Sequence, residues 1–371
     1  MTIEASTTFI LNTIEADGQR GGWQASGSFA NDQDEVEFGR RIDLYLTAEG
    51  GGLWEAAAIL AMRGSVLPQS VRWDIRQSST DVTVATTDVF LQNAALQGIY
   101  FSDPAVLSNP HQNTNLRLGH IVQHIIEQHT NISSTAFIQN TNGTYSATLV
   151  GGWVDTTGID TTVSTKVDVY TVRASNSIWQ TLQGIARNEY YVCYMNKQDD
   201  FIYKPRPVFE TVLNTITLAI DDDMIIAQPE AIYRDRVQMD QVVLSALTDT
   251  GLILRSEYPA NIASNGRKLS VTNLRCNAQA RLDQLAQRVF SFESRPYDLR
   301  IQLAGAWGLY LELFDRVSIT YTGTARNGVS LTFVAEPFYI DKIRVSRSDT
   351  FGAVTELGLQ QENIIGVLYA T

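Results

Sequence analysis

The residues best suited to metal chemistry are four histidines, which all lie between His111 and His129. His120 and His124 are four residues apart in a segment with helical spacing, which can place two ligands on one metal ion. The helix of a zinc protease, however, has a glutamate directly after its first histidine to act as base. That position is Ile121 here, and no acid or cysteine nearby completes a ligand set. The sequence therefore predicts polar-face histidines and no metal.

The strongest run of acids is Asp221-Asp222-Asp223. Three successive carboxylates point in different directions, unlike the alternating ligands of a calcium loop, so we expect a turn with an Asp cap after a strand. Cys193 and Cys276 are far apart and lie in apolar or helical patterns, which predicts two buried thiols. Gly50-Gly51-Gly52 lacks the Lys-Ser/Thr of a phosphate loop. We assign no catalytic, cofactor-binding or metal residue and expect neither a cofactor nor an enzyme.

Charge and composition exclude several classes of protein. The 371 residues carry 40 acids against 28 Lys and Arg, a formal net charge of -12. Proteins that bind nucleic acid tightly need clustered basic side chains, so the excess of acidic over basic residues argues against such binding. The first residues lack a basic region followed by an apolar core, so no signal peptide is expected. No window resembles a membrane span, and we expect no membrane insertion.

The first 101 residues have the alternating pattern of strands. Phe29–Thr47 contains two short alternating runs, and Val71–Phe90 places Val71, Trp73 and Ile75 on one face. The run WEAAAILAM, Trp54–Met62, fits a short helix or a buried strand. It could belong to a subunit interface or to the core, and core is the better assignment. We predict a first β-domain over residues 1–101.

Residues 102–207 change to an α+β pattern. LRLGHIVQHIIEQHTNI is an amphipathic helix, TNGTYSATLV places a hairpin turn at Asn142-Gly143, and KVDVYTV alternates as a strand. In SIWQTLQGIARNEYYVCYMNKQDDFIYKP the period changes from a helix to two strands joined by a turn at Asn196–Asp200. Cys193 shares a strand face with Tyr191 and Met195, which predicts a structural thiol.

Strand patterns resume over residues 208–371, which we predict to form a second β-domain with one helix at 278–290. ETVLNTITLAI, RVQMDQVVLSAL and the C-terminal PFYIDKIRVSRSDTFGAVTELGLQQE alternate apolar and polar residues. Asn265-Gly266 and Asn327-Gly328 are predicted hairpin turns. The expected fold class is mainly β, with an α+β middle region that carries two amphipathic helices.

Three segments resemble the tail-hub, or baseplate hub, proteins of phages. The helix LRLGHIVQHIIEQHTNI followed by SIWQTLQGIARNEYYVCYMNKQDDFIYKP is similar to the central region of that family, where a helix "Leu-x-x-Ile-Ala" runs into a Gly-Tyr strand. Leu182, Ile185, Ala186 and Tyr191 match, whereas Glu189 or Tyr190 replaces the glycine. The family's "Leu-Glu-x-Gly-Asp-x-Val" strand is similar to residues 311–317, with Phe314 in place of the glycine. Residues 281–323 as a whole, YRDRVQMDQVVLSA at 233–246 and, less distinctly, residues 71–101 are also similar to the family, so the resemblance covers about two-thirds of the chain at the level of pattern.

The resemblance implies a structural role. Hub proteins form homotrimers in which each chain contributes two β-domains similar to tail-tube subunits, and the ring joins the hexameric tube to the tip or spike. The implied partners are the tail tube or distal tail protein, the tip or spike protein, and DNA that passes without specific binding. The implied location is the virion tail, after synthesis in the host cytoplasm. An acidic channel would repel DNA phosphates and let DNA slide.

Two other classes of function remain open at this point. Many strands and scattered tryptophans fit a β-rich glycan-binding or receptor-binding tail module. The acids could also include the pair of a peptidoglycan hydrolase, although any chain with 40 acids offers such pairs.

Overall fold

The computed structural model describes most of the chain and consists mainly of strands. The described residues are 9–18, 20–30, 41–46, 59–67, 70–74, 79–96, 98–102, 116–134, 137–139, 145–147, 154–162, 164–167, 169–172, 177–189, 191–206, 215–233, 240–248, 250–260, 266–293, 297–350 and 352–361. Within them, no helix is both long and apolar enough to cross a bilayer.

Within the described residues, the chain forms strands interspersed with four helices. The strands are β1 Phe9–Asp17, β2 Gly22–Ala30, β3 Arg41–Leu46, β4 Ile59–Val66, β5 Arg72–Asp74, β6 Ser79–Ala85, β7 Ile99–Ser102, β8 Phe137–Gln139, β9 Tyr145–Ala147, β10 Val169–Val172, β11 Tyr191–Met195, β12 Phe201–Pro205, β13 Leu218–Ile220, β14 Glu230–Tyr233, β15 Gln241–Leu247, β16 Ile253–Tyr258, β17 Lys268–Arg275, β18 Tyr297–Ala304, β19 Arg316–Thr324, β20 Ser330–Ser348 and β21 Gly352–Gln361. The helices are α1 Asp88–Asn93, α2 Leu118–Ser134, α3 Ile178–Glu189 and α4 Gln279–Glu293, with 3₁₀ turns at Asp222–Met224 and Trp307–Leu309.

One large sheet contains strands from both ends of the chain. Its order is β14-β18-β21-β20-β1-β2-β6-β4-β3, and β5, β13 and β19 pair at its sides. The contact between the two ends is the antiparallel pair of β1 and β20, in which Thr13 lies opposite Ser346. β20 is long because its first half pairs with β19 and its second half pairs with β1 and β21. The fold class is therefore mainly β, as predicted.

Three apolar cores lie within the described residues. The first fills the large sheet and contains side chains from both ends of the chain, such as Ile14, Trp23 and Ile343. The second packs α2 and α3 on the hairpin β11–β12. The third packs α4 on β15 in a small sheet of order β16-β15-β17. The division at residues 101 and 207 stays a prediction, and the cores show which segments pack together.

The hairpin β11–β12 separates the first two cores because successive residues of a strand point to opposite faces. Tyr191, Cys193 and Met195 lie in the second core, and Val192 and Tyr194 lie in the first. All five residues of β11 are therefore buried. The predicted helix, strand, turn and returning strand are confirmed, and Cys193 is the buried thiol expected on the face of Tyr191 and Met195.

Three further predictions compare directly with the structure. The helices predicted at residues 116–132 and 278–290 correspond to α2 and α4, and Gly328 has the positive φ of the predicted hairpin turn. The described part of Trp54–Met62 belongs to strand β4, and its earlier residues lie outside the described ranges. Val36 and Phe38 and the turn Asn142-Gly143 also lie outside them, although β8 and β9 on either side of that turn pair as a hairpin.

Two predictions were wrong. The alternation predicted through Phe90 ends at Ala85, because the six-residue helix α1 begins at Asp88. Asn265-Gly266 does not join a hairpin, because β16 and β17 lie on opposite sides of β15, the first antiparallel and the second parallel to it. A parallel neighbour requires a crossover in place of a tight turn.

Candidate functional site: a buried polar joint

The turn between β11 and β12 is held in one shape by its own side chains. The backbone N–H groups of Gln198 and Asp200 donate to Asn196 Oδ1 over 2.9 and 2.8 Å. Asp199 has a φ of 62°, in the left-handed region that Asp and Asn tolerate better than most residues. The turn therefore presents Lys197 and Asp199 as two fixed, buried side chains.

Lys197 ties the turn to the last third of the chain. Its Nζ donates to the carbonyl of Leu309 over 2.7 Å and to that of Gly308 over 3.3 Å. The same ammonium lies 4.9 Å from the ring centroid of Trp23, within the range of a cation–π contact. Burial lowers the pKa of Lys197, while Glu312 and Asp315 oppose that shift. The lysine is thus a positive charge enclosed by carbonyls, an aromatic face and acids.

Glu312 completes this side of the joint. Its Oε1 accepts from Trp23 Nε1 over 2.8 Å and from the Leu313 N–H over 3.0 Å, and its Oε2 accepts from the Lys197 N–H over 3.0 Å. Burial raises the pKa of Glu312 to about 7, although Lys197 and these donors act in the opposite direction. One carboxylate therefore connects β2, the hairpin turn and the segment before β19.

Asp199 ties the same turn to α1. Its two carboxylate oxygens accept from the N–H and the hydroxyl of Thr87 over 2.7 and 2.8 Å. Asp88 follows in sequence and is also buried, with its Oδ1 2.5 Å from Thr86 Oγ1. Burial raises the pKa of Asp88 to about 7, and the nearby charge of Asp199 adds to that shift. We call Trp23, Thr86–Asp88, Lys197, Asp199 and Glu312 the polar joint.

Backbone bonds reinforce the joint. The Met195 N–H donates to the Gly21 carbonyl over 2.7 Å, and the Arg63 N–H donates to the Lys197 carbonyl over 2.7 Å. Trp179 Nε1 of α3 donates to the Arg20 carbonyl over 2.8 Å. The second core is thus attached to the large sheet through a network in which each side contributes both donors and acceptors.

A second buried acid stabilises the interior of the middle region. Glu189, at the end of α3, accepts from the Tyr203 hydroxyl and from the Thr165 N–H. Tyr191 donates to Asp160 Oδ2 over 2.8 Å. Burial raises the pKa of Glu189 and of both tyrosines. These groups hold α3, β11, β12 and the segment before β10 together.

Shifted pKa values often mark active sites, but structural networks shift them too. In the joint, Lys197, Glu312 and Asp199 are occupied by protein donors and acceptors, and the ring of Trp23 covers the lysine. Burial also raises the pKa of the Cys193 thiol, which keeps it in its unreactive form. This arrangement can fasten chain segments together.

The residues singled out from sequence lie away from the joint. His120 Nδ1 accepts a hydrogen bond from the Arg117 N–H, and burial together with the charge of Arg117 lowers the pKa of His120. His124 packs edge-on against Phe101. His111 and the side chain of His129 lie outside the described part of the chain. Asp221–Asp223 are exposed in a turn after β13, and Asp221 caps it without a side-chain bond. Among the described residues, no three potential metal-ligating side chains cluster.

The residues of the joint were missed because they come from four segments that are far apart in sequence. Thr86-Thr87-Asp88 carries the Thr and Asp typical of a helix start, a signal that could have identified α1. Lys197 and Asp199 fall in a turn that was predicted, but the turn residues alone do not indicate burial. Glu312 is the glutamate of the segment similar to Leu-Glu-x-Gly-Asp-x-Val, but that pattern does not indicate that its side chain is buried.

The face of the large sheet opposite the first core is polar over at least six strands. Along it, Glu15 lies opposite Arg344, Arg344 pairs with Glu356, and Lys342 pairs with Asp17. We call this surface the polar face, and its residues are Thr13, Glu15, Asp17, Gln24, Ser26, Ser28, Asp81, Thr83, Asp298, Arg300, Gln302, Lys342, Arg344, Ser346, Glu356 and Gln360. Acids outnumber bases among them, which gives the face a net negative charge.

An aromatic turn follows β18. Trp307 and Tyr310 are 38% and 63% exposed, and residues three apart in a 3₁₀ turn share a side. The turn itself is fixed, because the Gly308 N–H donates to Thr355 Oγ1 over 3.0 Å and its carbonyl accepts from Lys197. A side chain at Gly308 would collide with Val345 and Ile343.

The fold was compared with known proteins. No family model and no curated protein matches the sequence. Solved structures do match. A tail protein from Neisseria meningitidis MC58 has a TM-score of 0.60 at 12% identity, over 96% of this chain and 94% of that one. The 43 kDa tail protein of prophage MuSo2 from Shewanella oneidensis has a TM-score of 0.53 at 11% identity, over 96% and 95%. The chain therefore has the fold of these two tail proteins along nearly its whole length.

Proposed function

We propose that this protein is a structural component of a phage-type tail, acting as a homotrimeric hub that joins the tail tube to the tip or spike. The observation that carries the proposal is the fold shared with two tail proteins along nearly the full length of each chain. We also propose that the protein is located in the virion tail, has the tube and tip proteins as partners and has no enzymatic activity. The buried joint supports a structural role because its charged groups bind backbone and side-chain groups from distant segments of the chain.

The polar face is the part of this protein that we assign to the DNA channel. Its net negative charge repels phosphates. Most of its other side chains are Ser, Thr and Gln, which are neutral and do not hold DNA as clustered Lys and Arg would. Acids and bases alternate across strands, so the surface stays well hydrated and its net negative charge is modest. DNA would therefore pass it without specific binding.

Assembly tests the proposal directly. We expect native mass measurement to give a species of three times the 41.2 kDa chain, either for the protein alone or after mixing with the purified tube protein of the same tail. Electron microscopy of that mixture should show rings at tube ends. A stable monomer under both conditions would contradict the hub, and binding to the side of the tube would contradict its terminal position.

A second candidate function rests on the aromatic turn. An exposed Trp and Tyr on one side of a rigid turn can stack against sugar rings, as a glycan-binding tail module requires. If this turn binds cell-surface glycan, Trp307→Ala should reduce retention on a host cell-wall or lipopolysaccharide column at least tenfold. Phe90→Ala, which removes another exposed aromatic, is the matched control. Equal retention of both variants and the parent would contradict glycan binding by the turn.

A further inference from the structure

The Thr86 hydroxyl beside the buried carboxyl of Asp88 has one hydrogen and two neighbouring acceptor oxygens, those of Asp88 and of the Trp23 carbonyl, and this carbonyl also accepts the Thr86 N–H over 3.0 Å. Thr86 Oγ1 accepts a hydrogen bond from the backbone N–H of Trp23 over 2.9 Å. The same oxygen lies 3.2 Å from the Trp23 carbonyl oxygen and 2.5 Å from Asp88 Oδ1. A hydroxyl has one hydrogen to donate. If Asp88 is a carboxylate, the Thr86 hydroxyl can donate either to Asp88 Oδ1 or to the Trp23 carbonyl, but not to both. If Asp88 carries the hydrogen, it donates to Thr86 and all three contacts are satisfied.

The other oxygen of Asp88 agrees with this assignment. Its Oδ2 accepts from Gln92 Nε2 over 3.1 Å, as the carbonyl oxygen of a neutral acid does. Water has no space on the Oδ1 side, because a Cβ built at Gly22 would lie 2.1 Å from that oxygen and 2.6 Å from Thr86 Oγ1. The carboxyl is therefore enclosed by protein atoms, and water cannot stabilise a negative charge on it.

The charged groups around Asp88 favour the same form. The hairpin contributes Asp199 and Cys193, which face Asp88 and can carry only a negative charge or none. Its own segment contributes neutral donors, the Thr86 hydroxyl and the backbone N–H groups of Asp88 and Val89, which lower the pKa of Asp88 but do not offset the effect of burial. No Lys, Arg or His in the described part of the chain forms an ion pair with it. An ionised Asp88 would therefore stand beside a second buried carboxylate without a compensating cation.

We propose that Asp88 is a proton-binding site that makes the attachment of the β11–β12 turn to α1 sensitive to pH. The bound proton keeps Asp88 neutral beside Asp199, which holds Thr87 through two bonds. When the proton leaves, the two carboxylates repel each other and the bonds from Thr87 to Asp199 weaken. The ligand is a single proton, and the inference does not depend on the proposed role in a tail.

The direction of the pH effect follows from linkage. Burial raises the pKa of Asp88 in the folded protein to about 7, whereas the unfolded chain has the ordinary value. The stabilisation given by the proton is therefore complete below the ordinary pKa and is lost as the pH rises through 7. Asp88→Asn removes this dependence, because an amide donates to Thr86 and accepts from Gln92 at every pH.

Denaturant unfolding of the full chain at pH 6, 7 and 8 tests the proposal. Between pH 6 and 8 the folded-to-unfolded ratio of the parent should fall about tenfold relative to that of Asp88→Asn. Glu312 is present in both proteins, so its own titration cancels in the comparison. Asp81→Asn, at an exposed aspartate that accepts from Ser28, should run parallel to the parent. A constant difference between the parent and Asp88→Asn across this range would overturn the proposal.

A measurement on the parent protein covers the case in which Asp88→Asn does not fold. Carbon NMR of the aspartate-labelled protein should show a carboxyl resonance with a midpoint near pH 7 that persists in Asp315→Asn, which removes the other aspartate whose pKa burial raises in this region. Titration of every remaining aspartate below pH 5 would also overturn the proposal. Amide exchange at Thr87, corrected for its intrinsic pH dependence, should rise over the same range as the resonance shifts.

Discussion

Trp23→Ala is expected to lower the free energy of unfolding by about 3–5 kcal/mol, the range for truncating a large aromatic residue in a packed core. Trp23 is 1% exposed and lies in the first core on β2. The substitution also removes the indole N–H that donates to Glu312 and the ring that covers the Lys197 ammonium. The cost should therefore fall at the upper end of that range.

Denaturant titration of the purified variant measures this loss, and Trp307→Ala is the matched control. Trp307 is an exposed tryptophan, so its truncation should cost less than about 1 kcal/mol. Trp23→Phe separates the two effects, because it keeps an aromatic face for Lys197 but loses the bond to Glu312. Equal stabilities of Trp23→Ala and Trp307→Ala would show that the joint does not carry the attachment described here.

The second large effect is expected at Asp199. Removing its carboxylate leaves the buried N–H and hydroxyl of Thr87 without their acceptor, which costs about 1–3 kcal/mol per buried polar group. Asp199→Ala should therefore lower the free energy of unfolding by about 3 kcal/mol. Alanine also tolerates the positive φ of 62° poorly, which adds about 1 kcal/mol.

Three substitutions at this position separate the contributions. Asp199→Gly loses the carboxylate but accepts the left-handed backbone, so it should be more stable than Asp199→Ala. Asp199→Asn keeps one acceptor oxygen and should be the mildest of the three. Exchange of the Thr87 amide should increase in all of them, more than that of amides in the third core around α4. An unchanged Thr87 amide in Asp199→Ala would disprove the role of the carboxylate.

The sequence predicts the local elements of this fold well and their long-range pairing poorly. The helix, strand and return strand from Ile178 to Pro205 follow from a change of period within one segment, which is a local signal. The pairing of β1 with β20 has no such signal, because the partners of Thr13 and Glu15 lie at the other end of the chain. The same reason explains the error at Asn265-Gly266: a turn pattern does not reveal which strand lies between its neighbours.

The joint shows the same limit. A hydrophobic pattern identifies buried apolar residues, but it assigns Lys197 and Asp199 to a solvated turn because charged side chains are seldom buried. Their burial depends on Leu309, Glu312 and Thr87, which come from two distant segments. Glu312 therefore becomes recognisable only when the fold brings Trp23 within reach of its carboxylate.

The pairing of β1 with β20 has a consequence for synthesis. As the ribosome produces the chain, β1 and β2 emerge long before β20, and until then one edge of β1 lacks its partner strand. Contacts between such distant residues require closure of a very large loop and form slowly. During that interval the exposed edge of β1 can pair with another nascent chain, so folding should benefit from chaperone protection and low expression temperature.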